Sequence, residues 1–162
     1  MGTRPSVDQR LVAGGDGVTR LHQAALVVIA GGSLLVGLWA QVWPRAFYDD
    51  FPGFGRVWVA VDGPYNQHLV RDVGGLNLAL AFVALYALVT ASLAVARAAG
   101  GGALIFGLPH LLYHATHLDP FSAGDKVALL VPLAVAVLAA LLALAVPAGS
   151  PTTSGSSAPP PG

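Results

Sequence analysis

Four stretches of this chain are apolar for long enough to cross a bilayer, and the segments between them are polar, turn-rich or aromatic. The first runs from Ala24 to Val42 (AALVVIAGGSLLVGLWAQV), with Ser33 and Gln41 as its only polar side chains. As a helix it reaches ~28 Å at 1.5 Å per residue, close to the ~30 Å hydrocarbon core of a membrane. Arg20 and His22 bound one end. Trp39 and Trp43 lie at the other, where amphipathic indoles anchor at headgroup level. The run exceeds the ~7–15 residue apolar core of a signal peptide, and Trp39 suits a small-residue cleavage site badly, so it is read as a retained span.

The second span is expected over Val73 to Val95, opened by Gly74 and Gly75 and carrying small residues (Ala79, Ala81, Ala84, Ala87, Ala91) suited to close helix contact in lipid. Arg97 and Gly100-Gly101-Gly102 read as a tight return. The third span, Ala103 to Leu118, is short. Its Pro109 has no N–H for the Ile105 carbonyl and predicts a kink. Asp119-Pro120 ends it. The fourth, Val127 to Val146, lies between Lys126 and Pro147 and is rich in Ala, Leu and Val.

Between the first two spans lies WPRAFYDDFPGFGRVWVAVDGPYNQHLVRD, Trp43 to Asp72. Pro44, Pro52, Gly53, Gly55 and the Asp62-Gly63-Pro64 turn break helix, and Val57 to Val61 reads as a short strand. The segment is too aromatic for a plain linker, so a structured loop is expected; long loops with their own packing are often functional. The expected fold is all-α: a four-transmembrane-helix bundle with one structured loop between helices 1 and 2. It occupies residues 20–146, between disordered tails at 1–19 and 147–162.

Composition agrees. Of 162 residues, 55% are hydrophobic and 10% charged, whereas a soluble domain carries about 25% charged residues. So few charges cannot coat a water-facing surface, and lipid as the outer solvent resolves the shortfall. Formal net charge is zero, with no basic patch of the kind a nucleic-acid partner requires. The absence of cysteine excludes disulfides, thiolate metal sites and cysteine catalysis.

Four spans put both termini on one side of the membrane and the first and third loops on the other. Tyr65, His68, Arg71 and Asp72 therefore share a membrane face with His110, His114, His117 and Asp119, whichever way the chain is inserted. Lys and Arg tie at four a side: Arg4, Arg10, Arg20 and Arg97 against Arg45, Arg56, Arg71 and Lys126. Cytoplasmic termini are the expectation, because the first helix usually dominates orientation.

His110, His114 and His117 recur at i, i+4 and i+7, within a ~60° stripe of one helix. Tyr65, His68 and Asp72 share a face too if their stretch is helical. Two readings follow. In one, His110, His114, His117 and His68 ligate a metal ion, with Asp72 or Asp119 as a further ligand or orienting group. N/O donors suit zinc, copper, iron or manganese, and opposed histidines on two helices suit haem. In the other, the residues form a polar network tying helices together. The glutamate of the HExxH zinc-protease pattern is missing from His-Leu-Leu-Tyr-His. Arg71 and Asp72 stand where an anion or substrate site, or favourable placement at a helix N-terminus, explains them.

The stretch YDDFPGFGRVWVAVDGPYNQHLVRDVGGLNLAL, with LPHLLYHATHLD further on, resembles a group of small uncharacterised multi-pass membrane proteins of actinobacteria, over about two thirds of the chain. More distantly the layout is similar to the DoxX-like four-helix membrane proteins. The resemblance implies architecture and no mechanism; the Ala- and Gly-rich composition suits a high-GC bacterium. The leading expectation is a non-enzymatic or accessory protein of the cell membrane, binding a small ligand or metal at the loop-side site. The alternatives are a membrane redox enzyme with a histidine-bound metal or haem, and a subunit of a transporter or larger complex, partnered by the bilayer and by a second copy or another membrane protein.

Overall fold

The computed structural model describes residues 18–145 and Pro147; the expected tails, apart from these few positions, lie outside the described residues. The elements in chain order are α1 (Arg20–Val42), α2 (Pro44–Asp50), β1 (Pro52–Gly53), β2 (Arg56–Val57), a 3-10 turn (Ala60–Asp62), α3 (Gln67–Thr90), α4 (Leu93–Thr116) and α5 (Ala123–Ala145). The four long helices α1, α3, α4 and α5 are long and apolar enough to cross a membrane, and the chain fits an integral membrane protein on that ground. They pack as a ring in sequence order: α1 lies along α3 and α5, and α4 along α3 and α5. This up-and-down arrangement brings α2, the hairpin and the C-terminal end of α4 to the same end of the bundle.

Local capping explains where each helix starts. The Thr19 side chain accepts from the His22 N–H and His22 reaches back to the Thr19 N–H, a reciprocal box that starts α1 at Arg20. The Asn66 side chain accepts from the Leu69 N–H at 3.1 Å and starts α3 at Gln67, six residues before the expected Val73. Arg71 and Asp72 are therefore helical, not loop. Ala91 adopts the left-handed conformation at the end of α3, and the Ser92 hydroxyl then accepts from the Val95 N–H. Ala91-Ser92 is the whole connection, and α4 begins at Leu93.

The expected return at Arg97 and Gly100-Gly102 is corrected by this: those residues lie inside α4. A glycine run breaks helices in water, but helices in apolar surroundings tolerate it because the backbone has no competing solvent partner. What it provides is proximity. A Cβ on Gly100 would stand 2.8 Å from the Ala140 carbonyl oxygen and 2.9 Å from the Leu144 nitrogen of α5. Between α1 and α3 the same role falls to Gly74, whose Cβ would stand 2.8 Å from the Gln41 nitrogen. Backbones in contact gain dispersion where no hydrophobic force joins helices. Small side chains fill the joint core: Ala25, Ala30, Ala84, Ala87, Ala96, Ala99, Ala139 and Ala143 surround Leu26 and Ile29.

One further expectation changes. The strand at Val57 to Val61 is only the two-residue β2, paired antiparallel with β1 (Pro52 opposite Val57, Gly53 opposite Arg56), and its continuation is the 3-10 turn. Helix α4 runs unbroken through Pro109, as α5 does through Pro132.

Gly74→Ala and Gly100→Ala should each lower the thermal midpoint in detergent, with an overpacking cost of about 1–3 kcal/mol. Gly75→Ala, where an added Cβ meets nothing within 4 Å, should be neutral or stabilising, since alanine is the better helix former. Equal midpoints for all three would contradict the close-approach account.

Candidate functional site

The loop-side end is built in two layers. The lower one is aromatic. Trp39, near the end of α1, meets Phe47 of α2 and Phe51 edge-on at 6.2 and 5.8 Å between ring centres, and Phe51 meets Trp58 at 6.1 Å. Edge-to-face contacts of this kind add to plain burial. Trp58 is buried with Phe121 and Leu129, so the hairpin is seated on the start of α5 as well as on α1.

The upper layer is ionic. The Asp125 carboxylate accepts from Arg56 Nη1, from Trp58 Nε1 at 3.3 Å and from the Ser122 hydroxyl at 2.6 Å. The Ser122 hydroxyl in turn accepts from the Asp125 N–H at 3.1 Å and caps α5. One carboxylate thus ties the hairpin to a helix that begins 66 residues further along the chain than Val57. Arg45 pairs with Asp49 at 2.6 Å and stands 4.9 Å above the Tyr65 ring, and the Tyr48 hydroxyl donates to the Gly63 carbonyl. These contacts fold the second half of the loop back over α2.

Against this frame the histidines separate. His110 and His114 of α4 stand edge to face, 4.7 Å between ring centres, with Phe106 stacked on His110 at 5.4 Å. His114 is 8% exposed, and its Nδ1 is buried without a hydrogen-bond partner among the described residues. Asp62, in the 3-10 turn, lies within coulombic reach of both rings. His117 sits one residue beyond α4, stacked on Tyr113 at 4.1 Å, with Nδ1 donating to the Tyr113 carbonyl at 2.8 Å. That bond puts the ring proton on Nδ1.

The other candidates lie elsewhere at the same end. His68 and Asp72 form an i, i+4 pair at 3.2 Å, with side chains 87% and 60% exposed. Tyr65 precedes the α3 cap and packs edge-on against Tyr48, so it does not share the helical face of His68 and Asp72. Arg71 Nη1 donates to the Gln41 carbonyl at 2.6 Å, satisfying one of the free carbonyls at the end of α1. Asp119 is exposed and forms no ion pair among the described residues. Among those residues no three His or Asp side chains converge on a position that could hold a metal ion as they stand. The fifth histidine, His22, is fully buried at the opposite end of the bundle.

Asp62, Arg56, Trp58 and Asp125 are the residues that sequence reasoning leaves out of the site. For Asp62 a signal existed: its turn falls on the loop side of a four-span topology, opposite the α4 histidines. In comparisons with known proteins, no family model, no curated protein and no solved structure matches this chain.

Arg56→Ala and Asp125→Ala should each loosen the hairpin without unfolding the bundle. The pair is partly exposed and its contribution is correspondingly small, and amide hydrogen exchange over residues 51–62 should accelerate several-fold. Unchanged exchange in both variants would remove the carboxylate as the tether.

Proposed function

We propose that the protein is an accessory membrane protein, with no catalytic chemistry of its own, that binds a small ligand at His110 and His114 on the loop-side end of the bundle. A divalent cation is the simplest occupant. The observation that carries this reading is the unpartnered, buried Nδ1 of His114 beside a second imidazole. A buried polar atom without a partner costs about 1–3 kcal/mol, and a ligand recovers that cost. Two neighbouring imidazoles, with Asp62 within coulombic reach of both, offer N and O donor types suited to zinc, copper, iron or manganese.

The haem form of the redox alternative asks histidines on two helices, His68 and the α4 set, to face one group, whereas His68 is paired with Asp72 on the exposed side of α3. The polar-network alternative asks His114 to be satisfied by a neighbour, and its Nδ1 has none among the described residues. We further assign the chain to the small actinobacterial multi-pass proteins it resembles, and take both termini as cytoplasmic.

Calorimetric titration of zinc into the detergent-solubilised full-length protein tests the site. One equivalent should bind. His114→Ala should weaken binding by tenfold or more, and Asp62→Asn by a smaller factor, roughly the range seen when groups around a metal ligand are removed. No binding, or binding unchanged in His114→Ala, overturns the reading.

A further inference from the structure

The tip of the hairpin carries an apolar side chain where turn geometry asks for something else. β1 and β2 are joined by the two residues Phe54 and Gly55, both at positive φ (58° and 72°), after Gly53 at 93°. A two-residue hairpin turn with both central φ values positive favours Asn or Asp followed by Gly, because an L side chain with a Cβ is strained there and short polar ones are strained least. This chain keeps the glycine and replaces the Asn or Asp with phenylalanine. Phe54 is 100% exposed: no part of its ring packs on the described residues. Neither local backbone preference nor the core of the described residues accounts for the residue.

Gly53, next to Phe54, approaches Trp39: a Cβ built on it would lie 3.9 Å from the indole. Trp39 and Trp43, with Leu34, Leu35 and Leu38, line a shallow apolar groove on the outer face of α1 at its loop-side end. Leu35, Leu38 and Trp43 are 60%, 50% and 63% exposed, as lipid-facing residues of a span should be. Gly53 of the hairpin thus lies beside an indole expected at the membrane–water boundary, on the helix whose outer face carries the exposed Leu35, Leu38 and Trp43.

We propose that Phe54 is a lipid-inserting wedge, by which the loop-side hairpin lies against the interfacial layer of the bilayer. The occupant of this surface is lipid. The contact seats the hairpin from outside while Asp125 holds it from inside, and the loop is thereby clamped at both edges. This inference does not rest on the ligand reading of His110 and His114.

The chain lacks cysteine, so Phe54→Cys can carry a single nitroxide label in phosphatidylcholine–phosphatidylglycerol vesicles. Accessibility to oxygen, which concentrates in lipid, is compared with accessibility to a water-soluble nickel chelate. Labels at Leu35→Cys and Pro64→Cys supply the lipid and water references. The oxygen-to-nickel ratio at Phe54→Cys should approach that at Leu35→Cys and exceed that at Pro64→Cys. A ratio equal to that at Pro64→Cys overturns the proposal, and so does dipolar broadening between labels, which would make a second copy the occupant. Phe54→Asn provides a label-free check, because asparagine suits the turn better. Without a lipid contact, hydrogen exchange of the hairpin in vesicles should stay the same or slow. With one, it should rise several-fold at Gly53–Val57 and not in α1 or α3, and an unchanged or slower rate overturns the proposal.

Discussion

A peptide group surrounded by hydrocarbon has no solvent to bond, and the rest of this structure depends on that constraint. It forces the apolar stretches into helices whose backbone bonds are internal. It also lets α4 run through Gly100-Gly102 and Pro109, and α5 through Pro132, sequences that tend to interrupt a helix in water. With the hydrophobic effect absent between helices, association falls to close packing. Gly74 against Gln41, Gly37 against Leu78 and Gly100 against Ala140 and Leu144 are places where the backbones meet. The alanine-dominated core between them follows from the same need for proximity.

At the loop-side end the solvent changes and so do the forces. There an aromatic layer from Trp39 to Trp58 and Phe121 gives the loop a base. A carboxylate with three donors, Asp125, then fixes the hairpin to α5. This docking carries Asp62 to the neighbourhood of His110 and His114. The histidine pair and the loop are consequently linked: Asp62 belongs to the segment that the Arg56–Asp125 contact ties to α5. The candidate site is thus assembled by tertiary contacts at the membrane boundary and not by one helix alone.

How much of this is legible in the sequence differs by level. The four spans and the shared face of His68 and His114 follow from apolar length and the alternation of sides, because both are one-dimensional properties. The helix limits do not. The glycine triplet in α4 carries a breaker signal that is valid in water, and the true turn, Ala91-Ser92, has no glycine or proline to announce it. The strand expected at Val57 to Val61 follows from β-branched residues, but Trp58 is drawn to Phe121 and Leu129 instead of into a sheet. The His110–His114 neighbourhood is a matter of helical spacing and is readable; the departure of His117 depends on the last turn of α4, and the partners Asp62 and Asp125 depend on contacts far along the chain. Asp125 pairs with residues 69 and 67 positions away, a separation at which no local pattern survives.

Topology is the claim on which the site, the loop and the histidines all rest, and single-cysteine labelling reaches it directly. The chain has no cysteine of its own, so Pro64→Cys, Asp119→Cys and Ala91→Cys can each be exposed to a membrane-impermeant maleimide in intact cells and again after lysis. The four-span account predicts that Pro64→Cys and Asp119→Cys behave alike and that Ala91→Cys behaves oppositely. Labelling of Pro64→Cys and Asp119→Cys from different sides, or of Ala91→Cys from the same side as Pro64→Cys, would contradict it.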